Sequence, residues 1–295
     1  MSRFTRVFVV ILIFALICLS CLHHIKKDEV IYAARSLTYV VSRFVFNKQY
    51  LVANSNYGVK YKFKTPDAVG RAIYKDGNYE PEITRFVLNE IKYNPEDIVI
   101  DVGANIGWYS LLLDHMKDGP GIIYAFEPDS LNYSLLKHNI SLNGASKVVA
   151  INEALSNKIG KATLYKYGDN NLGRHSLLPL FKGASETIIT TTLDNFIKKN
   201  NSKKTIRLIK IDVEGYELPV LLGAKKVLDH TENLIVEFSP SIMLQHKIAP
   251  ELVIKLLYAK GFKPYLFGGN KLIPLNKEEL LKIHGPLTFL WKRGI

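Results

Sequence analysis

Asp97-Ile-Val-Ile-Asp101-Val-Gly103-Ala-Asn105-Ile-Gly107 decides the fold. It reads as a short apolar strand with an acid at its tip, then a glycine turn opening into a helix over Ile106 to Met116. Glycines at such a turn permit tight backbone geometry and let a ligand come close. The helix start presents unpaired N–H groups.

Working outward, the same rhythm repeats. Gly121 to Phe126 is a second strand, Asp129 to Asn143 a second helix and Lys147 to Ile151 a third strand. Further on, Thr205 to Ile211, Asn233 to Phe238, Phe262 to Phe267 and Leu287 to Trp291 read as strands. Helices are expected at Leu193 to Lys199, Leu218 to Leu228 and Glu251 to Lys260. Ala162 to Tyr167 and Glu186 to Thr192 are two more strands around a polar loop. Upstream, Tyr57 to Phe63 alternates as a half-buried strand, and Pro81 to Tyr93 carries Ile83, Phe86, Val87 and Ile91 on one helical face. Strands alternating with helices mean an α/β fold, a parallel sheet with helices on both faces.

The loop also speaks about its ligand. A dinucleotide loop has the spacing G-x-G-x-x-G and seats a pyrophosphate on the helix N-terminus. Here the spacing is Gly103-x-Asn105-x-Gly107, with Asp101 before it. A carboxylate there repels pyrophosphate and suits a cationic ligand. S-adenosylmethionine carries both a sulfonium and an amino group. Glu127 ends the second strand, where an acid accepts hydrogen bonds from ribose hydroxyls. The plainer role for Asp101 and Asn105 is helix capping, which leaves Glu127 unexplained.

The 295 residues are 47% apolar and 22% charged, which excludes a disordered or fibrous chain. The only cysteines, Cys18 and Cys21, exclude a disulfide framework and a cysteine zinc site. Residues 1–80 hold 12 Lys and Arg against 5 Asp and Glu, so the net charge of +12 is concentrated near the N-terminus. Val7 to Leu22 is uncharged and apolar and follows Arg3 and Arg6. We read it as an uncleaved signal anchor, in preference to a cleaved signal, because Leu19-Ser20-Cys21 is a poor cleavage box. Residues 30–46 then form a helix, either lying on lipid headgroups through Arg35 and Arg43 or standing as a solvated stalk. The expected division is an N-terminal stub, anchor and stalk over 1–49, and one catalytic domain over 50–295.

Five stretches carry a resemblance. They are Val99-Ile-Asp-Val-Gly-Ala-Asn-Ile-Gly-Trp-Tyr-Ser110, Ala125-Phe-Glu-Pro128, Asn152-Glu-Ala-Leu-Ser156, Thr192-Leu-Asp194 and Leu208-Ile-Lys-Ile-Asp-Val-Glu-Gly-Tyr-Glu217. The chain resembles the FkbM-type S-adenosylmethionine-dependent methyltransferases from about Tyr79 to about Phe267. The resemblance implies a Rossmann-like sheet of seven strands, six parallel and the last antiparallel. It implies methyl transfer, best known in the family for hydroxyls of sugars and polyketide-derived compounds. It places Asp101, Gly103, Asn105 and Gly107 on the methionine side of the cofactor, Glu127 on the ribose, the Asn152-Glu153 turn near the adenine and Asp212 near the methyl donor. Tyr79 and Glu80 belong to a segment that closes over the cofactor in similar proteins.

An alcohol is a poor nucleophile, so a base or a metal is expected beside the donor. Asp212, Glu214 and Glu217 share one loop, and Glu237 ends the next strand. Asp212 is the first candidate for general base. Alternatively Asp212 and Glu237 share an Mg²⁺ that acidifies the hydroxyl, the less favoured reading. Glu217 is as well explained by the preference for acids in a first helical turn. His175, in the polar loop Asn170 to Ser176, is either a base over the acceptor or an exposed loop histidine. The acceptor is expected to be a small molecule, glycan or lipid-linked hydroxyl, and the loops 167–186 and 239–250 are polar enough to face one. No nucleic acid is expected, because the basic excess lies outside the catalytic domain. The rival readings are a tethered, inactive binding module and a nicotinamide oxidoreductase. S-adenosylmethionine is made in the cytosol, so the catalytic domain of a single-pass membrane protein is expected to face the cytoplasm. The oligomeric state is left open.

Overall fold

The computed structural model describes residues 27–200 and 204–294. The first element is α1 (Lys27–Val40), which runs into one π turn over Val41–Val45. β1 (Tyr50–Asn54) and β2 (Lys60–Lys64) pair as an antiparallel hairpin, Leu51 opposite Phe63 and Ala53 opposite Tyr61. Period-two alternation turns these four inward and leaves Tyr50, Val52 and Lys60 on the outer face. α2 (Ala68–Asp76) and α3 (Pro81–Asn89) follow. Asp67 caps α2 by accepting the Gly70 N–H at 2.8 Å.

The central run is β3 (Ile98–Val102), α4 (Trp108–His115), β4 (Ile122–Phe126), α5 (Ser130–Asn143) and β5 (Val148–Ile151). A small separate sheet comes next, from β6 (Ala154–Leu155), β7 (Gly160–Tyr165) and β8 (Ser185–Thr191), with a 3-10 turn at Leu172–Arg174 in the loop between β7 and β8. The chain then forms α6 (Leu193–Lys199), β9 (Ile206–Ile211), α7 (Glu217–Leu222), β10 (Thr231–Phe238), α8 (Pro240–Gln245) and α9 (Glu251–Ala259). It closes with β11 (Phe262–Gly268), β12 (Lys271–Pro274), α10 (Lys277–Leu281) and β13 (Leu287–Arg293).

The large sheet has eight strands in the order β12-β11-β13-β10-β9-β3-β4-β5. From β5 to β10 neighbours are parallel, and β13 enters antiparallel between β10 and β11. β11 therefore runs with the first five, which gives six parallel strands and one antiparallel. β12 adds an eighth as a hairpin on the β11 edge. The chain winds away from β3 in both directions, to β4 and to β9, so a crevice opens over the carboxyl ends of these strands.

Successive strand residues serve opposite faces. Val99, Ile123, Leu208 and Ile235 pack under α4 and the β1–β2 hairpin. Ile98, Ile100, Ile209 and Val236 pack under α7 and α9. Each such side chain contributes about 1.5–3 kcal/mol by leaving water.

Several expectations are corrected. The expected strand over Tyr57 to Phe63 starts at Lys60, and Tyr57 sits in the turn. Its partner β1 begins at the expected domain boundary. The helix expected over Leu218 to Leu228 stops at Leu222, and the chain resumes as a 3-10 turn over Val227–His230; Gly223 passes so close to the Ser156 carbonyl that a Cβ there would lie 2.0 Å from it. The stalk is not solvated along its length. Tyr39 is only 4% exposed, and its ring meets Tyr74 of α2 at 5.8 Å. The anchor expected at Val7 to Leu22 lies outside the described residues. Among the described residues no helix is long and apolar enough to cross a membrane.

Candidate active site

The β3 tip carries Asp101, buried and accepting the Ser110 Oγ–H at 2.7 Å. Burial pushes its carboxyl above the usual range, and Lys210 pulls it back down. The turn that follows holds Gly103, Asn105 and Gly107 in left-handed backbone, at φ 80°, 52° and 93°. Gly103 is there for a second reason. A Cβ on it would lie 2.0 Å from the Asp212 carbonyl oxygen. The β3 and β9 tips thus approach each other through a missing side chain. Asn105 Oδ1 is buried with no hydrogen-bond partner.

Glu127 leaves β4 and is gripped by the backbone. Its Oε2 accepts the Asn105 N–H at 2.7 Å and its Oε1 the Asp129 N–H at 2.9 Å. Burial nevertheless pushes its carboxyl up to about 8. Asn152 Nδ2 donates to the carbonyls of Glu127 and Pro128 at 2.9 and 3.1 Å. Asn152 therefore fastens the β4 exit, and it is Glu153 that stands in the cleft wall. Tyr79 and Glu80 form the opposite wall, just before α3. Glu80 accepts the Tyr109 hydroxyl at 2.6 Å, and burial raises its carboxyl.

At the β9 tip the sequence reading passed over one residue. Lys210 is a lone lysine in Leu208-Ile-Lys-Ile-Asp212, where apolar neighbours say only that the strand is core. It is almost fully buried, lines the cleft and donates to Asp212 Oδ2 at 2.9 Å. Burial alone would lower the ammonium's pKa, but Asp212, Glu80 and Asp101 outweigh it and hold the charge. A lysine on the inward face of an apolar strand was the available signal.

Asp212 keeps a quarter of its side chain exposed to the cleft. Glu237 stands nearby at the end of β10 with Oε2 buried and unpartnered. Burial, then the charge of Asp212, pushes its carboxyl up to about 10. This direction favours the protonated carboxyl, the form able to donate a hydrogen bond. An Mg²⁺ between Asp212 and Glu237 would have to compete with the Lys210 ammonium, which already holds Asp212 Oδ2 at 2.9 Å. Among the described residues no group of three or more His, Cys, Asp or Glu is placed to hold a metal.

Glu217 is fully buried and its Oε1 accepts the Gly215 N–H at 2.9 Å. It ties the turn before α7 and does not line the cleft. His175 lines the cleft, and one of its ring nitrogens is engaged. Nδ1 accepts the Tyr167 N–H at 3.0 Å, and Nε2 lies 3.7 Å from Asp129 Oδ2. Burial lowers its pKa, so the neutral ring serves as a strut. With Nδ1 accepting, the neutral ring carries its proton on Nε2, so that nitrogen is a donor in this arrangement rather than the base expected.

One cleft thus brings together Asp101, Gly103, Asn105, Glu127, Glu153, Tyr79, Glu80, Asp212, Glu237 and His175. Gly107 and Asn152 shape it from behind. A family model described as a methyltransferase FkbM domain matches residues 101–264. The chain belongs to the FkbM methyltransferase family. Among its relatives, the hexuronic acid methyltransferase AglP of Haloferax volcanii is 26% identical over 203 residues, 69% of this chain and 77% of the relative. Methyltransferase sdnD of Sordaria araneosa is 31% identical over 197 residues, 56% of this chain and 73% of the relative. A solved structure of the FkbM methyltransferase of Methylobacillus flagellatus aligns at a TM-score of 0.44 and 14% identity, over 92% of this chain and 63% of that one. The FkbM match begins at Asp101, so Tyr79 and Glu80 enter the cleft from outside it.

Proposed function

We propose that this FkbM methyltransferase moves a methyl group from S-adenosylmethionine to a hydroxyl of a sugar, glycan or lipid-linked acceptor. The observation that carries the reading is the acidic cleft at the switch point. Asp101, Glu80 and Glu127 face it together with the unpartnered Asn105 Oδ1. Such walls suit a ligand bearing an ammonium, a sulfonium and ribose hydroxyls. The donor supplies a methyl group already activated by positive charge.

The chain's own residues do the rest. Glu127, fixed by two backbone amides, accepts the ribose hydroxyls. Asp101 and Asn105 receive the ammonium end. The buried walls exclude water, which strengthens each charge interaction inside. Asp212 would take the acceptor's hydroxyl proton as the acceptor oxygen bonds to the methyl carbon and the carbon–sulfur bond breaks with its electron pair on sulfur, and Lys210 holds Asp212 in place. Glu237 donates its proton in a hydrogen bond to the acceptor. The polar loops 167–186 and 239–250, and the sugar acid in the name of AglP, support a sugar acceptor. The same proposal places Val7 to Leu22 in a membrane, with the catalytic domain on the cytosolic side where the donor is made. Protease access to that domain only from outside intact cells would overturn this placement.

Calorimetric titration of S-adenosylmethionine into the full chain, beside Glu127→Ala, tests the function. Binding by the parent, weakened at least about tenfold in the variant, is expected; a lost hydrogen bond to a charged group is worth about 1.5–3 kcal/mol. A folded parent that binds no donor sinks the reading.

A further inference from the structure

The cleft wall carries a cation to which the proposed donor site gives no role. Among the described residues only two permanent cations line the wall, Lys210 and Arg174. Lys210 is buried and committed to Asp212. Arg174, at the end of the 3-10 turn, keeps 40% of its side chain exposed. Its guanidinium lies over the Tyr167 ring at 4.8 Å from the centroid and near Phe181 at 5.9 Å. The two rings meet edge-on at 4.8 Å. Glu214 is at the outer limit of pairing, with Oε1 3.9 Å from Arg174 Nε. Nearby lysines are more firmly neutralised: Lys166 by Asp129 and Glu186 at 2.8 and 2.7 Å, Lys64 by Asp169 at 3.0 Å.

An arginine stacked on aromatic rings loses little freedom on binding and keeps its fork of N–H donors for a planar anion. A carboxylate matches that fork with two parallel hydrogen bonds. Glu214 adds a release: burial pushes it up to about 7, so near neutral pH it is only partly charged and holds Arg174 loosely. Arg174 and Asp212 both belong to the wall of one cleft, and Glu214, two residues beyond Asp212, connects them.

We propose that Arg174, seated on Tyr167 and Phe181, is the acceptor-recognition site and takes the carboxylate of an acidic sugar whose hydroxyl reaches Asp212. This rests on the methyl-transfer reading above. It narrows the acceptor to sugars carrying a carboxylate and makes the aromatic pair the seat of the guanidinium.

The test uses the full chain, labelled donor, and three acceptors: 4-nitrophenyl glucuronide, 4-nitrophenyl glucoside and glucose 6-phosphate. The glucuronide is expected to be methylated with kcat/KM at least tenfold above the glucoside. Arg174→Gln is expected to erase that preference through KM, and Arg174→Lys to retain part of it. Donor affinity, measured by calorimetry, should stay unchanged in both variants. Donor binding without a glucuronide preference, zero turnover included, overturns the inference and leaves the donor reading standing. So does a preference for the phosphate, or a base-labile methyl ester on the glucuronide carboxyl. Failure of the folded parent to bind donor defeats the methyl-transfer reading itself, and this inference with it.

Discussion

Lys210 Nζ lies 2.9 Å from Asp212 Oδ2 and 4.9 Å from the centre of the Tyr109 ring. Lys210 lies on β9 and Asp212 one residue past its end, so at a separation of two residues the side chains leave the extended backbone on the same face. Removing the ammonium strands Asp212, Glu80 and Asp101 together in a buried site. Lys210→Met is expected to cost about 3 kcal/mol, the scale for breaking a buried ion pair, and to depress turnover at least a hundredfold. Adding Asp212→Asn should restore part of the stability and none of the turnover. Urea unfolding with an unchanged m-value, alongside a methyl-transfer assay, separates the two effects.

The acids around the strand tips make stability depend on pH. Burial raises Glu214 to about 7, Glu127 and Glu217 to about 8 and Glu237 to about 10. An unfolded glutamate titrates near 4.3. Above that pH the folded chain holds protons the unfolded chain has lost, so stability falls as pH rises through the folded values. His175, with its lowered pKa, works in the opposite sense as a single group. The free protein should therefore melt at a lower temperature at pH 8.5 than at pH 5.5. Saturating donor, which favours the ionised carboxylates, should narrow the gap. A Tm that climbs with pH over this range would contradict the burial of these groups.

Gly103→Ala tests the contact between the strand tips. The added methyl meets the Asp212 carbonyl at 2.0 Å in a backbone conformation, φ 80°, that alanine resists. Strain and overpacking together are expected to cost at least about 2 kcal/mol. Donor binding should fall in parallel, since Asn105 moves with the turn. Calorimetry on the variant that remains folded at low temperature checks this.

His175→Gln distinguishes a strut from a base. Glutamine can accept the Tyr167 N–H in place of Nδ1. Turnover is expected to stay within about tenfold of the parent, with the pH–rate profile unmoved. Loss of a pH–rate limb would return His175 to the chemistry.

The central sheet and the donor side of the cleft were legible because their signals are local. A carboxylate at a strand tip, a glycine turn and a second acid after the next strand are fixed by spacing alone, and Asp101, Gly103, Asn105 and Glu127 all follow from it. Asp212 and Glu237 were visible for the same reason. β1 was missed because its inward residues, Leu51 and Ala53, are too few to show alternation without their partners in β2. Lys210 was hidden by its own neighbours, since four aliphatic residues around a lysine read as core. Arg174 sits in a loop without periodicity, and only tertiary structure brings Tyr167 and Phe181 under it. His175 shows the converse: residue type suggests a base, while the fold gives Nδ1 to the Tyr167 N–H.

Asp67 gives its Oδ2 to the start of α2 and its Oδ1 to the Leu172 N–H, at 2.8 Å each. One buried carboxylate is thereby shared between the N-terminal layer and the segment that carries Arg174. The Arg174 side of the cleft is registered from upstream of Asp101, where the match to the family begins. The heritable signature and the working unit are then different lengths of chain. A fragment cut at the signature would keep the Gly103 to Gly107 turn and lose the carboxylate that holds the segment carrying Arg174.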